Sequence, residues 1–297
     1  MSLILMTGAS GFLGKKIYSF FKDKNYPIFT VGRSKLNNLI CDLSIETPKI
    51  PTEKKINIAI HVAGKADFTP KNKKEKQEFY KVNVQGTKNF LKSLESNLPQ
   101  FFFYVSSVSV YGVDSGIGID ETFPLKGETP YSKSKIMAEN EVLKFGKKFN
   151  VKVLILRLPL IVGKNQLGNL GSMIKAIQKG YYFRVGRGDA KRSIISTLQV
   201  AMSIEKLVGN EGVFNIIDSG YPRINEVDQH IADIYSKKIK TIPGFVIKIL
   251  SLLGDILPCF PLNSLKYGKL TKSLVFSNLK LLQETNWTPV DSLEDLK

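Results

Sequence analysis

LILMTGASGFLG (residues 3–14) decides the fold. Four apolar residues make a strand, and a turn then carries Gly8, Gly11 and Gly14 at three-residue spacing. KKIYSFFKD (15–23) continues with the apolar period of a helix. Glycine permits a tight turn and lets backbone N–H groups approach an anion at the helix N-terminus, where the dipole favours negative charge. A strand before and a helix after supply the context that a phosphate-cradling loop needs.

Working outward, PIFTV (27–31), INIAIHVA (56–63), FFFYVSSVSVYG (101–112) and VKVLILRLPLIVG (151–163) read as strands. The last two are near-continuous apolar runs, as expected where both faces of a parallel sheet are covered. Helical patterns lie between them, through EFYKVNVQGTKNFLKSL (78–94) and over YSKSKIMAENEVLKF (131–145). The alternation predicts an α/β fold with a doubly wound Rossmann-type parallel sheet. After Gly163 short helices and strands alternate irregularly, and from about residue 220 the chain turns mostly helical. The pattern predicts a dinucleotide-binding domain over 1–163 plus 194–217. A smaller, mostly helical substrate domain is expected over 164–193 plus 218–297.

With 297 residues and a net charge of +17, the chain could meet nucleic acid, acidic lipid or a phosphorylated substrate. The basic residues are spread along the chain and mixed with acids, as in KNKKEKQEFYK (71–81), which reads as a solvated helix face. No interleaving of basic and aromatic residues suggests a nucleic-acid surface, so a phosphate-bearing small molecule is the more economical anion. Cys41 and Cys259 lack metal-ligand spacing and read as buried thiols; His61 and His230 stand alone, so no metal is expected. The apolar stretch FVIKILSLLGDILP (245–258) is too short to span a bilayer and reads as a packed helix rather than a membrane-docking one. A cytoplasmic protein is expected.

Further motifs follow the glycine loop in order. They are CDL (41–43), HVAGKA (61–66), Asn83 in VNVQGT, SSVSVYG (106–112), Tyr131-x-x-x-Lys135 in YSKSK, and LRLPLIVG (156–163). With TGxxGxxG, the set resembles the extended short-chain dehydrogenase/reductase family, in its nucleotide-sugar 4-epimerase and 4-ketoreductase branch. The resemblance implies an NAD(P)-dependent enzyme whose cofactor lies against Gly8, Ser10, Gly11, Phe12, Leu13, Gly14, Asp42, Leu43, Ala63, Gly64, Lys65, Tyr131, Lys135 and Pro159. It implies that Tyr131, Lys135, Ser107 and Asn83 form the catalytic set, with Ser106 and Ser109 competing for the serine's role. It also implies a UDP-sugar substrate held by Ser107, Asn169, Arg192 and Lys269, and a homodimer.

Tyr131 and Lys135, four apart on a helix, share a face. A neighbouring ammonium favours the phenolate of a tyrosine, so the pair can move a proton to or from a substrate oxygen. GNLGSM (168–173) opens a helix, and KRSII (191–195) offers Arg192 as a diphosphate clamp, although Arg187 and Arg192 could equally sit in an ordinary exposed loop. The second strand ends in Gly32-Arg33-Ser34-Lys35, with no Asp or Glu between Asp23 and Asp42. An acid there would repel a 2′-phosphate, whereas Arg33 attracts it and Ser34 can bond it, so NADPH is favoured over NAD. Arg33 stacking on adenine alone is the bland alternative. Reduction of a 4-keto UDP-sugar is the first expectation, a UDP-sugar 4-epimerase with tightly held NAD the second. A non-catalytic NADPH-sensing or RNA-binding protein is the reading of another class.

Overall fold

The computed structural model describes residues 3–53, 55–66, 70–164, 166, 168–218, 220–256 and 263–296; Cys259 lies outside them. β1 (Leu3–Thr7) runs into α1 (Phe12–Asp23), and β2 (Ile28–Gly32) returns beside β1. A two-residue strand that the sequence pattern does not announce, β3 (Leu39–Ile40), is followed by β4 (Ile56–His61). The helix expected over 78–94 is longer and has three parts: α2 (Lys73–Phe79), a π-helical turn (Tyr80–Gln85) and α3 (Gly86–Ser93). β5 (Phe101–Ser107) ends in a 3-10 turn, and β6 (Gly116–Ile119) precedes α4 (Pro130–Phe149). Thr129 starts α4 by accepting a bond from the Ser132 amide at 3.1 Å, Pro130 fills the first turn, and Asn150 ends it in the left-handed region.

The run 151–163 is not one strand. Pro159, which has no N–H to give a ladder, separates β7 (Lys152–Leu158) from β8 (Leu160–Val162). Next come α5 (Gly168–Gln178), β9 (Phe183–Val185), β10 (Ile194–Ser196), α6 (Thr197–Lys206) and β11 (Gly212–Asn215). The chain closes through α7 (Ile224–Ile234), β12 (Lys240–Ile242), α8 (Gly244–Ile256), α9 (Ser264–Thr271), β13 (Leu274–Phe276) and α10 (Leu279–Glu284).

Seven strands form one parallel sheet in the order β11-β7-β5-β4-β1-β2-β3. Two-residue alternation sends Ile4 and Met6 of β1 to one face, against Leu13, Ile17 and Phe21 of α1 and Val200 and Ile204 of α6. Leu5 goes to the other face, against Phe90 of α3 and Val142 and Phe145 of α4. β8 leaves this sheet to pair with β10, and there Val162 and Ile194 share a smaller core with Leu170 and Ile177 of α5 and Val227 and Ile231 of α7. Helix α8 departs from the packed helix expected: Ile247 and Ser251 are buried, but Phe245, Ile249, Leu252 and Leu253 face water. No helix among the described residues is long and apolar enough to cross a membrane. Cys41 is buried, and burial first, then Glu46, raises its thiol pKa to about 11.

Strand order reverses between β1 and β4, the switch point where open α/β sheets bind ligands beyond the carboxyl ends of the strands. A buried polar chain spans that seam, beginning with the Thr7 hydroxyl, which lies 2.6 Å from His61 Nδ1 and accepts from the Ala63 amide at 3.2 Å. His61 Nε2 lies 3.0 Å from the Thr87 hydroxyl, which itself donates to the Asn83 carbonyl at 2.6 Å. Because Thr87 spends its proton on Asn83, it accepts from His61, so the network assigns the imidazole proton to Nε2 and leaves Nδ1 to accept from Thr7. Burial first, then the Lys135 charge, pushes the His61 pKa down to about 3. The neutral ring is therefore favoured by folding, a contribution complete above the unfolded value of about 6.5 and lost as pH falls toward 3. Replacing His61 by Gln removes the proton site. Urea titrations between pH 6.5 and 4.5 are expected to show the wild type losing about 1.4 kcal/mol per pH unit more than His61→Gln.

Candidate active site

Gly8 has φ +74°, and a Cβ there would stand 2.6 Å from the Ala63 nitrogen; one on Gly14 would stand 1.9 Å from the Gly8 carbonyl oxygen. Both positions therefore demand glycine, and α1 starts directly under the loop, with the Gly11 amide bonded to Gly8 O at 3.0 Å. Ser10 and Gly11 are exposed, Phe12 is half-buried against Gly163, and Leu13 is spent in the core. The backbone thus makes a bare, amide-lined hollow at the head of a helix, which fits a pyrophosphate.

The other expected cofactor contacts surround it. Arg33 and Lys35 are exposed at the end of β2, and Ser34 is half-buried, its carbonyl accepting from the Asn37 side chain at 2.9 Å. Asp42 accepts from the Ser44 hydroxyl at 2.7 Å and its amide at 3.0 Å. Burial alone would raise the Asp42 pKa, but those two bonds, with Arg33 and Lys81 nearby, hold it below its ordinary value. Leu43 is buried in the core, its carbonyl taken by Asn89 at 2.7 Å. Pro159 sits half-buried between β7 and β8.

Asn83 is the joint between loop and helix. The π turn holds its side chain 1% exposed. Oδ1 accepts from the Lys65 amide at 2.7 Å, while Nδ2 donates to the Lys65 carbonyl at 3.1 Å and to the Ser134 hydroxyl at 2.9 Å. Ser134 in turn donates to the Tyr131 carbonyl at 2.7 Å. A Cβ on Gly64 would stand 3.2 Å from Asn83 Oδ1 and 3.4 Å from Lys135 Nζ, so Gly64, Asn83 and Lys135 converge. Lys65 pairs with Glu78.

Tyr131 is half-buried near the Phe79 ring, at 6.0 Å between centroids. One turn on, Lys135 is 5% exposed and donates to the Val105 carbonyl at 2.8 Å and the Tyr104 hydroxyl at 3.3 Å. Burial lowers its pKa to about 8 against the opposing pull of Glu139. Of the three serines, Ser106 donates to Glu139, whereas Ser107 caps the 3-10 turn by accepting from the Ser109 amide at 3.2 Å. Ser109 is half-buried with its Oγ unpartnered. Ser107 thus lies at the strand end with Ser106 already committed behind it.

Sequence reasoning missed what stands behind Lys135. Glu139, 1% exposed, receives Arg157 bidentately, Nη2 at 2.8 Å and Nε at 3.2 Å, and Arg157 also donates to the Tyr111 hydroxyl at 3.1 Å. Two signals were present: Glu139 stands one turn past Lys135, and Arg157 interrupts an otherwise apolar strand.

The expected substrate residues lie elsewhere in the fold. Asn169 is exposed in the first turn of α5. The Arg192 guanidinium binds the carbonyls of Lys191 at 2.8 Å, Lys272 at 2.6 Å and Lys269, so it anchors the end of α9 as well as standing in that region. Lys269 pairs with Asp114 at 3.1 Å, both side chains well exposed. Among the described residues, no group of three or more His, Cys, Asp or Glu side chains is placed to hold a metal ion.

The family model described as NAD dependent epimerase/dehydratase matches residues 4–216. A relative from Escherichia coli O157:H7, N-acetyl-alpha-D-glucosaminyl-diphospho-ditrans,octacis-undecaprenol 4-epimerase, is 30% identical over 198 residues, covering 64% of this chain and 58% of its own length. The chain thus spans less than two thirds of that relative. The sterol-4-alpha-carboxylate 3-dehydrogenase (decarboxylating) of Dictyostelium discoideum is 27% identical over 240 residues, 73% of this chain and 72% of its own. The structure of RMD from Pseudomonas aeruginosa complexed with NADPH superposes with a TM-score of 0.73 at 21% identity, covering 99% of this chain and 97% of that one; at that identity the likeness is one of fold.

Lys135 gives a test with a definite sign. A buried lysine at about 8, against 10.5 when unfolded, costs the folded state most below pH 8, and the cost disappears as pH rises to 10.5. Lys135→Met is expected to stabilise the cofactor-free protein at pH 7 by up to about 3 kcal/mol in urea titrations, with the gain gone near pH 10.5.

Proposed function

The chain belongs to the NAD dependent epimerase/dehydratase family, and we propose that within it the protein reduces a 4-keto sugar carried on a nucleoside diphosphate, with NADPH preferred. The observation that carries the cofactor preference is the end of β2. Arg33 and Lys35 are exposed there, and no acid stands between Asp23 and Asp42. That charge attracts a 2′-phosphate and leaves the ribose hydroxyls of NAD without the acid that usually holds them. The NADPH in the Pseudomonas aeruginosa structure supports the same reading.

When bound, the nicotinamide supplies a hydride to the sugar carbon or takes one from it. Tyr131 gives the matching proton from its hydroxyl to the carbonyl oxygen in reduction, and takes one from the alcohol in oxidation. Lys135 favours the phenolate this leaves, because its charge is one turn away and little screened. Two of its three donors go to Val105 and Tyr104, leaving one for a ribose hydroxyl. Ser107 orients the reacting oxygen, and Asn83 holds the Gly64–Lys65 backbone to the helix that carries Tyr131. Arg192, Lys269 and Asn169 face the diphosphate.

A 4-epimerase that keeps NAD through both half-reactions is the second reading, favoured by the name of the Escherichia coli relative. The sugar of that relative rides on a polyprenol diphosphate, so both carriers belong in the assay.

Denaturing the purified protein identifies any retained nucleotide, and titrating the empty protein ranks NADPH against NADH. NADPH is expected to bind at least about tenfold tighter, and Arg33→Glu to lose at least about tenfold in NADPH affinity while NADH changes little. Retained NAD that does not exchange would establish the epimerase instead. Tyr131→Phe is expected to lower turnover by about 100-fold or more with NADPH affinity preserved; unchanged turnover would remove Tyr131 from the chemistry.

A further inference from the structure

Helix α8 shows water what a helix on a protein surface normally hides. Phe245, Ile249, Leu252 and Leu253 are 68%, 57%, 52% and 46% exposed. At about 100° per residue the four fall within an arc of about 100°, while Ile247 and Ser251 on the far side are buried. Apolar residues scattered singly on a surface need no explanation, but a contiguous stripe marks an interaction surface. Leu270 of α9, the helix packed beside α8, is 47% exposed.

Charge says what the surface meets. From 237 to 272 the sequence carries seven lysines and one acid, Asp255, which is engaged by the hydroxyl and amide of Ser264. Lys248, Lys266 and Lys272 are exposed. A second copy of this chain docking by a two-fold contact would set the same patch against itself, and lysine facing lysine opposes association. An apolar stripe rimmed by lysine instead suits a helix lying in the interface of an anionic bilayer, with apolar side chains at the acyl boundary and ammonium groups among the phosphates.

We propose that α8 docks the protein peripherally on an anionic phospholipid surface, through Phe245, Ile249, Leu252 and Leu253 with the surrounding lysines on headgroup phosphates. The docking stands independently of the reaction proposed above. Arg192, bonded to the carbonyls of Lys269 and Lys272, ties the docked helix pair to the region assigned to the substrate diphosphate.

Sedimentation of the full chain with phosphatidylcholine vesicles, with and without phosphatidylglycerol, tests this directly. Binding is expected to rise at least about tenfold with phosphatidylglycerol and to fall away at about 0.5 M salt. The exposed triple substitution Phe245→Ser, Ile249→Ser, Leu253→Ser is expected to weaken it at least about tenfold, with circular dichroism and melting temperature unchanged. Lys248→Glu with Lys266→Glu is expected to remove the phosphatidylglycerol dependence. No binding, equal binding to both vesicles, or binding that survives the triple substitution overturns the proposal. So does a dimer in analytical ultracentrifugation that the triple substitution dissolves, which would assign the stripe to self-association.

Discussion

The backbone of Gly8 lies so close to Ala63 that no side chain fits between them. That contact joins the ends of the two strands flanking the reversal in strand order, and the rest of the site is arranged around it. Thr7 accepts from the Ala63 amide, His61 links Thr7 to Thr87, and Thr87 bonds the carbonyl of Asn83. The glycine loop, the loop after β4 and the π turn are therefore one hydrogen-bonded unit, and each member is satisfied only while the others hold their places. A network of this kind, fully paired in a low-dielectric interior, is rigid, which a site needs if it is to hold a dinucleotide and a proton donor in fixed relation.

Behind Lys135 the constraint is electrostatic. A buried ammonium is costly unless compensated, and Glu139 compensates it from one turn away, while Arg157 keeps Glu139 ionised. Ser106 adds a third bond to the same carboxylate. Removing Arg157 would leave a carboxylate buried without its fork, so the pair is kept for the charge state it imposes, not for the stability it adds.

Much of this was legible in the chain. The glycine spacing, the Tyr131–Lys135 spacing and the apolar runs of β5 and β7 are short-range patterns, and each fixes its own local geometry. Pro159 was legible too, yet its effect was misjudged: the run looked continuous because β8 is as apolar as β7, although it pairs with a different strand. What escaped depends on contacts between distant segments. The commitment of Ser106 to Glu139, the carbonyls that engage Arg192 and the pairing of β6 with β13 join residues 33 to more than 150 apart. The outward face of α8 escaped for the opposite reason: apolar periodicity tells which residues share a side, and nothing in it tells which side faces the protein.

The π turn at Tyr80–Gln85 has a consequence for how this chain can vary. A π turn holds one more residue than the α turn it replaces, so deleting any residue of that turn would let the helix close into regular α geometry. Everything after it would then rotate by about 100° relative to what precedes it. Thr87 would leave His61, Asn89 would leave the Leu43 carbonyl, and Phe90 would leave the core, or else Phe79 would swing away from Tyr131. Side chains along this rod can be exchanged one at a time, but its length is fixed to the residue.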